Sequence, residues 1–253
     1  MKQPITIILA LCLLAGICQA ENTRLVVRAK AKDAKFIGTS MGGAFIVVKE
    51  VATGAILAQG RTQGSTGNTG LIMKTPQQRY QSIVAEGTAL FETTLDINEP
   101  TFIVIEAHST AGSHMVVAST QLWLLPGKHI DGDGITLEIP GFAIDILSPQ
   151  RHQFISAQQK GREVTITANV VMMCGCTISQ GGLWDGNNMQ VEAMIQHQGK
   201  TINTVPLALG NQVNTFTATA TLNENGPYQI IITAFDPKTK NTGAAKSTFI
   251  MND

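Results

Sequence analysis

Short alternations of apolar and polar residues, punctuated by glycine, proline and asparagine, run from Arg24 almost to the end of the chain. A period of two places successive side chains on opposite faces of an extended strand, so one face of each run can be buried. The runs predict strands over Arg24–Ala31, Ala44–Glu50, Ile56–Gly60, Thr88–Ile97, Thr101–His108, Val116–Leu124 and Ile135–Ile139. They continue over Ala143–Leu147, Val164–Met173, Met189–His197, Thr201–Leu207, Asn214–Leu222, Tyr228–Phe235 and Ser247–Met251. Gly54 and Gly199 each separate two runs and are expected to close hairpins. Apolar residues at helical spacing are scarce. Gln77–Val84 and Ser156–Arg162 offer short helical turns at most, and neither carries an apolar stripe. The fold class read from this pattern is all-β.

The two halves repeat one another. Leu95 precedes Pro100 by the same interval as Leu222 precedes Pro227, an offset of about 127 residues. An aromatic and a strand of buried character follow each proline: Phe102 to Ala107 in one case, Tyr228 to Ala234 in the other. Each strand leads through a glycine-containing turn to a closing strand, with Ser119-Thr120 matching Ser247-Thr248. Upstream, Gly42-Gly43 ahead of the Ala44–Glu50 strand resembles Gly181-Gly182 ahead of Met189–His197. A strand set that repeats this way predicts two sandwiches in tandem, each of immunoglobulin-like size. The expected domains are 21–139 and 140–253, with the boundary near Pro140-Gly141 and Ile135–Ile139 running between them.

In the second half, Gly226-Pro227-Tyr228 through Phe235-Asp236, then Asn241-Thr242-Gly243 and Ser247-Thr248-Phe249, resemble the closing strands of bacterial immunoglobulin-like and fibronectin-III-like domains. The resemblance implies that Tyr228 is the corner tyrosine whose hydroxyl bonds to nearby backbone. The first half, with Gly43–Val48, Thr53-Gly54 and Ile56–Thr62, also resembles transthyretin-like modules. The chain as a whole is similar to exported tandem sandwich proteins of Gram-negative bacteria, a family of unknown function. Such folds serve many purposes, so the likeness implies architecture and carries no catalytic residue across.

The N-terminus adds location. Lys2, the apolar run Ile5–Ile17 and the small-x-small triplet Cys18-Gln19-Ala20 read as a cleavable export signal over residues 1–20. The run is too short to span a bilayer, so the expected product is periplasmic or secreted, without a membrane span. Lys plus Arg and Asp plus Glu number 18 each, which leaves no net field to recruit nucleic acid.

After cleavage two cysteines remain, Cys174 and Cys176, in Met172-Met173-Cys174-Gly175-Cys176 at a strand end. Alternation along Val164, Ile166, Ala168, Val170 and Met172 sends Met172 inward and Met173 outward. In an extended chain the cysteine Cα atoms would lie roughly 6.6 Å apart, near the limit for a bridge, unless Gly175 bends the backbone. Three readings stand: a disulfide formed in an oxidising compartment, buried free thiols, or a copper or redox site with Met172 or Met173 as thioether donor. Trp184 and Asp185 follow in a predicted loop. There Trp184 either stacks on a protein or sugar partner or folds back over the cysteine pair. Trp123, in an alternating strand, is expected in the core.

Conventional catalytic patterns are missing. Asp131-Gly132-Asp133-Gly134 starts like a calcium loop, but its later ligands do not follow, which leaves a solvated acidic turn. Gly64-Ser65-Thr66-Gly67 lacks the lysine of a phosphate loop, and Gly38–Gly42 is not a nucleophile elbow. The sequence therefore points to an exported non-enzymatic protein that binds a protein or carbohydrate through end loops, with no cofactor. The loops expected to do so are Met172–Asn188 and the glycine-rich, mobile stretch Thr62–Thr75. A periplasmic copper-binding or thiol-redox protein using Cys174 and Cys176 is the alternative, and an exported hydrolase with an active site assembled from loops is a third.

Overall fold

A computed structural model describes residues 21–111, 115–160 and 162–253. The export signal read over residues 1–20 and His114 lie outside the described residues. Up to Ile139 the strands are β1 (Glu21–Ala31), β2 (Phe45–Glu50), β3 (Ile56–Arg61), β4 (Phe91–Ile97), β5 (Thr101–His108), β6 (Val117–Leu124) and β7 (Ile130–Ile139). They form two sheets, β4-β1-β7 and β3-β2-β5-β6. After Gly141 come β8 (Phe142–Ser148), β9 (Gln153–Ser156), β10 (Glu163–Met172), β11 (Ile178–Ser179), β12 (Trp184–Asp185) and β13 (Gln190–His197). The chain ends with β14 (Lys200–Pro206), β15 (Ala208–Leu209), β16 (Thr215–Thr221), β17 (Gly226–Asp236) and β18 (Asn241–Asn252). These pair as β15-β16-β10-β8, β14-β13-β17-β18-β9 and the small ladder β11-β12. Each sheet draws all its strands from one side of Pro140. The fold is all-β, with two sandwiches in succession.

Period-two alternation builds both cores. Leu25, Val27, Ala29 and Ala31 on β1 meet Ile46 and Val48 on β2 and Ile103, Ile105 and Ala107 on β5. In the second sandwich Val164, Ile166, Ala168, Val170 and Met172 of β10 meet Ile230, Ile232 and Ala234 of β17 and Phe249 of β18. Apolar contact continues from one half into the other, so these residues belong to a single buried cluster. The predicted hairpins form: Gly54 and Gly199 have φ of 72° and 77°, a conformation that costs glycine little. The Tyr228 hydroxyl donates to the Glu224 carbonyl at 2.8 Å, the corner bond that the resemblance implied.

Several expectations are corrected. Ile135–Ile139 does not run between sandwiches; it pairs in parallel with β1, from Val27 to Ala31. The acidic stretch Asp131–Gly134 is solvated as expected, with Asp131, Gly132 and Asp133 exposed, but it lies within β7 instead of forming a turn. Its parts are engaged: Asp131 accepts from the Arg24 guanidinium at 2.6 Å, Asp133 Oδ1 accepts from Ser82 Oγ at 2.6 Å, and the Gly132 and Asp133 carbonyls accept from Arg28. Arg28 is buried and also donates to the carbonyls of Thr88 and Ala89. That clamp holds the segment preceding β4 over β1. Gln77–Val84 is irregular, whereas a helical turn does form at Ala157–Lys160. Trp123 is 60% exposed, on the outer face of β6 and against Phe102. The short strands β9, β11, β12 and β15 carry too few residues to show a period.

Candidate functional site

The two loops singled out in the sequence converge. Thr66 and Thr69 from the Thr62–Thr75 loop, and Cys174, Cys176, Thr177, Leu183 and Trp184 from Met172–Asn188, line one cleft of about 420 Å³. Lys35 and Ser40, on the segment after β1, complete it.

The first wall is held by a small apolar cluster. Ile72, on the single π-helical turn Gly70–Lys74, packs with Phe36 and Ala89. Phe36 donates its backbone N–H to the Thr66 carbonyl, and the Gln63–Leu90 and Ser65–Thr88 bridges bind the loop to the segment before β4. Thr62 is buried; its hydroxyl donates to the Ile37 carbonyl at 2.6 Å and accepts from the Ala44 N–H at 2.8 Å. These bonds pin a loop that its glycine and threonine content presents as mobile.

The second wall begins where β10 ends. Gly175 adopts φ of 75° and donates to the Met172 carbonyl at 2.7 Å, while Met172 donates to the Cys176 carbonyl at 3.3 Å. This turn brings the cysteine Cα atoms to 5.4 Å, inside the range a bridge needs, and the two sulfurs are joined as a disulfide. Met172 is buried as expected, but so is Met173, because the strand has ended and alternation no longer governs it. Its methyl instead reaches the connector glycine, Gly141. The cysteines are nearly covered as well.

Trp184 is only 8% exposed. Its backbone lies in β12 beside Ile178, and its indole N–H donates to the Asp33 carbonyl at 2.8 Å, joining positions 151 apart. The residue is therefore a tie between the two halves and a wall of the cleft, not a free stacking platform. Leu183, at 48% exposure, stands at the lip instead. Asp185 serves local structure: its carboxylate accepts from the Asn187 N–H at 3.0 Å and starts a short 3-10 turn.

Behind the indole, Asp33, Asp185 and Asp236 border a second hollow of about 470 Å³. Burial, reinforced by the Asp236 carboxylate, raises the Asp33 pKa above its ordinary value; Lys238 and Lys30 oppose the shift. Asp236 is engaged locally, accepting from the Lys238 N–H and the Thr239 hydroxyl.

Sequence reasoning missed Asp33, Lys35, Ser40 and Met41. They sit in a short non-periodic connection, where no pattern announces a role. Met41 packs directly against Gly175, where any side chain at that position would collide with its sulfur. Chemically, the cleft offers hydroxyl groups, one ammonium and apolar edges, a set suited to hydrogen-bonded recognition. Among the described residues no cluster of three His, Cys, Asp or Glu side chains is arranged to hold a metal ion.

No family model matches the chain, and no curated protein does. Among solved structures it is similar to an engineered protein at 17% identity and a TM-score of 0.33, over 51% of this chain and 24% of that one. It spans about a quarter of that protein's length. It is also similar to the fibronectin(III)-like modules of Clostridium thermocellum CbhA, at 8% identity and a TM-score of 0.30 over 90% of each chain.

Proposed function

We propose that this is an exported, non-enzymatic binding protein that receives a protein segment or a glycan in the cleft between the 62–75 and 172–188 loops. In this reading residues 21–139 and 140–253 are two folding domains, and the ligand is gripped at their junction. One observation supports it above the rest: loops far apart in sequence line a single cleft whose hydroxyls come from Ser40, Thr66, Thr69 and Thr177. Uncharged hydroxyls suit neutral polar ligands, and Lys35 adds one cation that can fix orientation.

The test fills the cleft. Thr69→Arg should abolish binding to whichever ligand a glycan panel or a photo-crosslinker at Leu183 identifies in the exporting cell. Lys35→Ala should weaken it several-fold. Undiminished binding by Thr69→Arg contradicts the proposal.

A second reading is kept open by Met41. Its thioether lies on the turn between Cys174 and Cys176, so reduction of the disulfide would leave two thiols beside one thioether, with Met172 and Met173 nearby, a soft donor set for Cu(I). Thiol counting with and without reductant, followed by Cu(I) competition on the reduced protein, decides this reading. A bridge that stays closed in the purified protein and a reduced form that takes up no copper end it.

A further inference from the structure

A strand at the edge of a sheet offers unpaired backbone groups to any other strand, and stable proteins guard such edges. Among the described residues nearly every sheet edge is guarded. β3 has a register shift against β2 and ends in Gly60 and Arg61. β4 carries Glu92 and Asp96; β7 carries Asp131, Asp133 and Glu138 and a register shift. β8 bears Asp145 and a register shift against β10, and β14 bears Lys200, Pro206 and a shift of its own. β9 and β15 are only four and two residues long.

β6 is different. Its eight residues, Val-Ala-Ser-Thr-Gln-Leu-Trp-Leu, contain no charge and no proline, and they pair with β5 without interruption. Among the described residues no strand pairs with its other side. Its outer face shows Val117 and Trp123 at 46% and 60% exposure, and Met115 and Leu125 just beyond its ends are also exposed. Even its inward residues Ala118 and Leu122 are only partly covered.

We infer that β6 is the contact by which two copies of this chain pair, antiparallel about a twofold axis through Thr120, so that their four-stranded sheets become one continuous sheet. The sequence of the strand chooses this register. Centring the axis on Thr120 sets Trp123 opposite Val117, Met115 opposite Leu125, and Gln121 opposite Ser119. On the inner face it sets Leu122 opposite Ala118. Apolar faces apolar and polar faces polar at each step, and large faces small where the core continues. Sliding the axis by one residue either way, the smallest shift that keeps outward residues outward, sets Val117 against Gln121 or Trp123 against Ser119.

Light scattering or sedimentation of the purified protein at about 10–100 μM should give twice the monomer mass. Ser119→Lys combined with Gln121→Lys brings four ammonium groups face to face across the axis and should return the monomer, with an unchanged circular dichroism spectrum. Val117→Cys combined with Trp123→Cys should yield a covalently linked dimer on mild oxidation, because each new thiol meets its counterpart in the other copy. A wild-type monomer throughout that range overturns the inference, and so does a dimer that survives the lysine pair. Should the lysine variant fail to fold, the cysteine variant decides alone, and absence of a linked dimer rejects the register.

Discussion

Across β17 and β18, Tyr228 faces Phe249 inside the second sandwich; across β5 and β6, Phe102 faces Trp123 on the surface of the first. The hairpins correspond, and both aromatic pairs lie close, with ring centroids 5.3 and 5.0 Å apart. Parity separates them. Counted from the preceding proline, odd positions point inward in both halves: Ile103 and Ile105 after Pro100, Tyr228 and Ile230 after Pro227. Phe102 falls on an even position, and Trp123 opposite it must follow. One residue of offset turns a core pair into a surface pair. The outward pair is then available for contact with another molecule, and the inward pair locks a corner.

The largest expected effect comes from breaking the inward pair. Tyr228→Ala should cost about 3–5 kcal/mol in denaturant unfolding, because it leaves a cavity beside Phe249 and His197. Trp123→Ala should stay within about 0.5 kcal/mol when measured on a monomeric background such as the edge-lysine variant. Equal losses at the two positions would erase the distinction. A finer cut is Tyr228→Phe, which keeps the ring and removes the bond to the Glu224 carbonyl; about 1 kcal/mol should be lost.

The outer face of the first sandwich also has a polar counterpart to its aromatics. The Glu106 carboxylate accepts from Lys49 at 2.9 Å and meets His108 Nε2 at 3.1 Å. The hydrogen bond from Lys49, helped by that from His108, lowers the Glu106 pKa below its ordinary 4.5. A carboxylate depressed in the folded state contributes stability above its unfolded pKa and loses it as pH falls through the folded value. Glu106→Gln should therefore lower stability at neutral pH by under about 1 kcal/mol, since solvent screens the pair. The gap to wild type should close as the medium is acidified below 4.5. A difference that persists at low pH would assign the effect to packing.

How much was legible follows the same division. Long alternating strands announce themselves, and Thr101–His108 agrees with its reading end to end. Tyr228 was identifiable because the corner has a local signature. Trp123 was misplaced because alternation gives the spacing of the two faces but not which of them is buried. Met173 was misplaced because alternation stops with its strand. The loops at the cleft were visible as unusual segments, yet their meeting was not, since the bond from Trp184 to Asp33 joins two stretches with no shared pattern. Lys35 and Met41 came from neither period nor motif.

The halves dock through Trp184, whose indole N–H donates to the Asp33 carbonyl, and this docking brings the two loops together. The Trp123→Phe variant leaves Trp184 as the sole tryptophan of the described residues, and its emission reports that docking. A docked indole, 8% exposed and bonded to the Asp33 carbonyl, should give a blue-shifted band that acrylamide quenches poorly. Emission like that of free tryptophan, quenched as readily, would mean that the indole is in water and that the cleft does not form.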